Sequence, residues 1–303
     1  MSFPPAHIHG SNAADLAQYI SIQNSWGAAD QWYKSSPLLP PMPSDVRREQ
    51  VRWMGSTSTF RGMCTLNGSI VFPDLSVCYY RIIYPTSSHQ PSDSSVQRKA
   101  WYTYRPPPMT ADALVLAHTT YGEDIASFVE GYEGTGQYVT NGECWSLAHE
   151  AIQYTTQRNP GRMPVPSLSR THGHLIWCGR PGEGRWRGDD SHVRRGDIVE
   201  WRTARVESRR GWSILGDPEH TAVIVEDCVP SVAVSNGVSL PPAQLGTLTV
   251  VEQSRGSPPK RMSYALNELI AGEVWIYRPV CMREYVGAEF EVEAPPGAPI
   301  IEV

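Results

Sequence analysis

The sequence predicts an α+β protein in which a helix opening on a cysteine precedes an antiparallel sheet, and three observations carry that prediction. First, Leu147, Ala148, Ala151 and Ile152 fall on one stripe at helical period, so an amphipathic helix begins near Cys144. Second, the segments THGHLIW, DIVEW, TAVIVED, TLTVVEQ and EVWIYRP that follow are each short, β-rich and bounded by turn residues. Third, the helix comes first and the strands of an antiparallel sheet after it, which is an α+β arrangement.

The remaining elements follow from local chemistry. Ala13 to Lys34 spaces Leu16, Tyr19, Ile20 and Trp26 at helical period behind Ser11 and Asn12, two good caps, so a helix is expected there. SSPLLPPMPSD ends it, because proline cannot continue a helix. Gly68 to Tyr84 and Arg98 to Tyr104 read as strands around the polar loop PTSSHQPSDSS. These elements make residues 1–104 a small N-terminal α+β lobe. The prolines of RPPPM form a stiff connector at 105–110, residues 111–285 form the second domain, and 286–303 is expected to be a loose tail. In the second domain Ala111 to Thr119 is short and apolar, Glu123 to Tyr132 reads as a helix, and GTGQYVTNGE is a glycine-punctuated loop.

Composition narrows the partners. A net charge of −5, with Arg interleaved among Asp and Glu, gives no basic footprint for nucleic acid. No run of about 18 apolar residues is present to span a membrane, and the N-terminus carries neither a basic start nor an apolar core of a secretory signal, so a cytoplasmic location is expected. The six cysteines, at 64, 78, 144, 178, 228 and 281, show no metal-ligand spacing and are expected to be free thiols.

Cys144 is the exception in its setting. A thiol reacts as thiolate, and a helix N-terminus or an imidazolium lowers its pKa. NGECWSLAHEAI supplies the first: Asn141 can cap, Gly142 admits a substrate backbone, and the unpaired N–H groups of the first turn favour negative charge. The amide of Cys144 is one expected oxyanion donor, and Gln137 lies just upstream in the loop where a second would be sought. In GDPEHTAVIVED, His220 stands where a turn enters a strand, placing its ring at the sheet end as a base. A third group must orient the ring, and Glu252 in TLTVVEQS is the choice; Gln253 faces the other way on a regular strand, so one of the two serves and not both.

The ordered strings GECW, RRGDIVEW, HTAVIVE and VVEQS resemble the CHAP and NlpC class of papain-like cysteine amidohydrolases and peptidases. Within it, NGECW, THGH, DDSHVRRGDIVEW and GDPEHTAVIVE look most like the cysteine-proteinase-fold domain of fungal SH3-containing, myosin-tail-interacting proteins of cortical actin patches. The resemblance implies a papain-like fold, Cys144 as nucleophile, His220 as base and Glu252 as orienting acid. It implies acyl transfer on a peptide or amide-containing substrate, with no metal or organic cofactor. It equally implies an alternative, an idle papain-like module that binds a protein partner in a cytoskeletal protein. Ser254 departs from the pattern, standing where the class usually has Asn. The segment DCVPSVAVSNGVSLPPAQLG also lengthens the connection between the His and Glu strands and reads as a decorative loop.

Other features read more blandly. His172 and His174 alternate as on a strand, and with His192 or Asp190 they are the nearest thing to a metal set, but no ligand spacing follows and they read as structural or surface histidines. Residues 180–210 hold nine arginines against six acids and read as an ion-paired surface. Trp186 and Trp212, beside glycines, are candidates to line a substrate groove.

Overall fold

The computed structural model describes residues 10–27, 30–87, 94–208 and 211–301 and divides into two compact units, residues 1–106 with 286–303, and residues 107–285. The centre of the polar loop at 85–95, and two of the arginines of the 180–210 stretch, lie outside the described residues.

In the first unit, helix α1 (Asn12–Ile20) buries Leu16, Tyr19 and Ile20 against an antiparallel sheet. The sheet runs β1 (Arg52–Phe60), β2 (Met63–Val71), β3 (Val77–Pro85), β4 (Gln97–Thr103) in sequence order. Ser11 caps α1, its Oγ accepting from Ala14 N at 3.2 Å. The helix stops well short of Lys34. The Asn24 amide and the Trp26 indole both donate to the Tyr19 carbonyl, at 3.1 and 3.0 Å, folding the chain back over the last turn. The expectation of a loose tail is corrected: β12 (Ile300–Ile301) pairs with β4, Ile300 opposite Trp101. Two short β-branched residues thereby cover an edge that would otherwise be unpaired.

The second unit carries the helices α2 (Ala111–Ala117), α3 (Glu123–Glu130) and α4 (Cys144–Arg158), a π-helical turn at His118–Gly122, and two short helices, α5 (Pro242–Leu245) and α6 (Met282–Val286), the last of which ends at the boundary. Its strands are β5 (His174–Arg180), β6 (Glu183–Trp186), β7 (Ile198–Ser208), β8 (Gly211–Ile224), β9 (Thr247–Ser254), β10 (Ser257–Ala265) and β11 (Leu269–Arg278). They form one antiparallel sheet ordered β10-β9-β8-β7-β11-β5-β6. One face buries Ile198, Val223, Val225 and Val251 against Leu147, Ala148 and Ala151 of α4 and Ile125 of α3. The other buries Trp177, Trp186, Trp201 and Leu248 in a second core.

Trp186 therefore lines no groove. It is fully buried, and its indole N–H donates to the Asp190 carbonyl at 2.9 Å. The lengthened connection after β8 is structural rather than decorative: Leu240 sits in the core, the Trp186 amide donates to Val238 O and the Leu240 amide to Gly184 O, both at 2.9 Å. It shields edge strand β6, at the opposite end of the sheet from β9 and β10.

The RRGDIVEW turn is fixed by backbone sterics and by charge. Gly196 has φ +86, and a Cβ there would fall 2.2 Å from Gly122 O on the π-helical turn. Asp197 then takes both Nε and Nη2 of the buried Arg278, at 2.8 Å each, while Asp190 meets Nη1 of Arg278 and takes Arg194 Nε at 2.6 Å. Removing the one cation that both acids share leaves buried carboxylates undercompensated. Arg278→Met is expected to destabilise the second unit by about 3–5 kcal/mol in urea unfolding.

Candidate active site

Cys144 is the first residue of α4, half-buried, with its sulfur at the end of the helix where backbone N–H groups lack intrahelical partners. The N-cap is Glu143, whose side chain makes no capping bond. Asn141, expected as a cap, acts one step further out: its Oδ1 accepts from the Glu143 amide at 3.2 Å and from Ser146 Oγ at 2.8 Å. Gly142, at φ +77, lets the loop turn into the helix under the ring of Tyr138.

His220 reaches Cys144 because of how β8 leaves the sheet. β8 pairs with β7 along most of its length, Glu200 opposite Thr221 and Trp201 opposite His220, but pairs with β9 only at Val223 and Ile224. His220 lies in the splay beyond those pairs, 13% exposed, and Glu252 on β9 bridges the gap: Nε2 of the ring lies 3.0 Å from Glu252 Oε2. That contact leaves Nδ1 as the ring nitrogen not engaged by Glu252, and the ring and the Cys144 thiol interact closely enough for each to shift the other's pKa. Tyr264 on β10 donates its hydroxyl to both oxygens of Glu252, at 3.0 and 3.1 Å, so the carboxylate is held before it holds the ring.

The electrostatics follow from these contacts. Burial alone raises the Cys144 thiol, but the His220 ring and the Thr221 backbone N–H outweigh it, and Cys144 ionises below its ordinary value. Burial disfavours the charged ring of His220, yet its bonds to Cys144 and Glu252 hold it up to about 9.

Gln253 belongs elsewhere. Its Nε2 donates to Val139 O at 3.1 Å and Glu143 O at 2.9 Å, and its Oε1 accepts from the Val139 amide at 3.1 Å. Both amide hydrogens are engaged, so it is no oxyanion donor; it ties the loop before Cys144 to β9. Gln137 is exposed in that loop, its backbone amide bonded to Thr135 Oγ1. Trp212 is 60% exposed on the β7–β8 hairpin, under the Arg205 guanidinium at 5.4 Å. A cleft of about 330 Å³ beside His220 and Glu252 is lined instead by Ile214, Gly216, Ser254, Lys260 and Met262. Among the described residues no cluster of side chains could hold a metal ion. His172 and His174 are both buried and do not converge: His174 Nε2 accepts from the Met109 amide at 3.0 Å, and burial drives its pKa down to about 3. No helix of the described residues is long and apolar enough to cross a membrane.

Sequence reasoning missed Tyr264, Thr221 and Glu200. An acid within the apolar run DIVEW was the one available signal, since a charge on a two-sided buried strand needs a partner.

The chain matches the family model described as the AIM3/BBC1 cysteine proteinase-fold domain over residues 96–290. It is 25% identical over 228 residues to "Altered inheritance of mitochondria protein 3" of Debaryomyces hansenii, a match covering 71% of this chain and 22% of that protein. The chain thus spans about a fifth of the length of that curated relative. No solved structure matches.

Gln253→Ala is expected to leave the buried Val139 amide unpaired, while the Val139 carbonyl keeps its bond from the Gly142 amide. The expected cost is about 1–3 kcal/mol in urea unfolding, together with faster hydrogen exchange at the Val139 amide.

Proposed function

The chain belongs to the AIM3/BBC1 cysteine proteinase-fold domain family, and from that premise we propose that it is a cysteine-dependent hydrolase acting by acyl transfer on a peptide or amide bond. The observation that carries the reading is the single line of contacts from the Cys144 thiol through His220 to Glu252, with Tyr264 behind it. A likeness to the CHAP and NlpC amidohydrolases is part of the same proposal, as is a cytoplasmic setting in which the thiol stays reduced.

In this mechanism the Cys144 thiolate attacks the carbonyl carbon, and the oxyanion accepts from the Cys144 amide. Asn141 is the second donor in this reading: its Oδ1 is engaged by Ser146 and Glu143, and its amide nitrogen has no partner among the described residues. The His220 imidazolium protonates the leaving nitrogen as the C–N bond breaks, and the ring then takes a proton from the water that releases the acyl group. Glu252 holds the ring through Nε2 and stabilises its charge. The cleft beside Ile214, Lys260 and Met262 offers room for a substrate side chain next to His220.

The alternative is an idle module whose surface binds a protein partner. The two readings part on Cys144 itself. A hydrolase reacts rapidly with a thiol-directed amidase probe at mildly acidic pH, and Cys144→Ala and His220→Ala each lower labelling at least about a hundredfold while the circular dichroism is unchanged. Labelling of wild type no faster than of a free thiol supports the module. Turnover is expected to fall as pH rises past about 9, where His220 loses the proton it must donate, and Glu252→Gln moves that alkaline limb to lower pH by removing the group that raises the ring's pKa.

A further inference from the structure

Behind the nucleophile lies a second acid that the mechanism above does not use. Strand alternation puts Ile198 and Glu200 of β7, and Thr221 and Val223 of β8, on the sheet face that packs against α4. Cys144 opens that helix, so Glu200 lies at its nucleophile-bearing end. The Glu200 side chain is 1% exposed. Its Oε2 accepts from Thr221 Oγ1 at 2.8 Å and lies 3.3 Å from His172 Nε2, and the Nδ1 of His172 meets Ser167 Oγ. Its Oε1 is buried with no hydrogen-bond partner among the described residues. Thr221 is the shared member: its hydroxyl donates to Glu200, and its backbone N–H is among the groups that lower the Cys144 thiol.

Few charged groups face Glu200. Around it stand Cys144 from α4, His220 on the neighbouring strand β8, His172 with Ser167 from the preceding loop, and Tyr277 from β11 with Arg202 bonded to the tyrosine hydroxyl at 3.4 Å. Arg202 thus approaches Tyr277 rather than Glu200, and the other cation of that loop, Arg170, is paired with Glu219. A carboxylate set close to a thiol disfavours the thiolate.

We propose that Glu200 is a positioning residue for Cys144: it tethers Thr221 on the sheet face beneath the helix start and sets its own carboxylate behind the nucleophile. The inference rests on the reading of Cys144 and His220 as a reactive pair. It predicts opposite effects from two conservative changes. Glu200→Gln keeps the acceptor for Thr221 and removes the charge, so the thiolate becomes easier to form. Thr221→Val removes the hydroxyl that moderates the carboxylate, so the thiolate becomes harder to form. A packing role alone moves both variants in one direction.

The test is the pH dependence of Cys144 alkylation by iodoacetamide, followed on the modified Cys144 peptide by mass spectrometry in folded protein. The expected result is an acidic midpoint lower in Glu200→Gln by on the order of one pH unit, and higher in Thr221→Val. An unmoved midpoint in Glu200→Gln, or shifts of the same sign in both, overturns the proposal. Should Glu200→Gln fail to fold, Thr221→Val decides alone, and a midpoint no higher than wild type overturns it. An ordinary thiol profile in wild type defeats the hydrolase reading instead, whereas a low wild-type midpoint that Glu200→Gln leaves in place defeats only the role given to Glu200.

Discussion

The contact between His220 and Glu252 spans a place where the sheet stops being a sheet, and the site depends on it. β8 and β9 pair at only two positions and then diverge, so neither backbone can fix the His220 ring. The carboxylate does so across the gap, with Tyr264 fixing the carboxylate in turn. Without that bridge the ring would lose both its orientation and much of the field that keeps it charged. The arrangement gives up ladder pairing beyond Val223 for a held imidazole at the end of a helix.

Around this contact the sequence places two kinds of buried charge. Arg278 with Asp190 and Asp197 is a closed set in which every charge has a partner, and it fixes the turn that starts β7. Glu200 is an open set, with one oxygen bonded and one bare. Closed sets are built for rigidity; an open one beside a nucleophile keeps an electrostatic influence that a closed one would cancel. Asp197 of the first set immediately precedes β7, and β7 carries Glu200 three residues later.

Much of this was legible in the chain. The helix opening on Cys144, the strands behind His220 and the order of helix before sheet follow from hydrophobic period and turn residues, which are local signals. The choice between Glu252 and Gln253 was also legible as an alternation, since adjacent strand residues face opposite ways, and the two are found serving His220 and the 139–143 loop respectively. What stayed hidden was non-local. Nothing in GEGRW distinguishes a core tryptophan from a groove one, because the segment that covers Trp186 lies some fifty residues on. The tail gave no sign of its partner, since two isoleucines make a strand only where β4 offers an edge. α1 ended early because Asn24 and Trp26 reach back to a carbonyl that periodicity cannot see.

The central claim is that Glu252 and Cys144 together keep His220 charged well above the ordinary range of histidine. It is tested most directly by titrating the His220 ring in the folded protein by nuclear magnetic resonance of its labelled imidazole, assigned by comparison with His220→Gln. The account predicts a midpoint near 9. A ring that titrates near 6.5, its ordinary value, would contradict the thiolate–imidazolium pair and the site built on it.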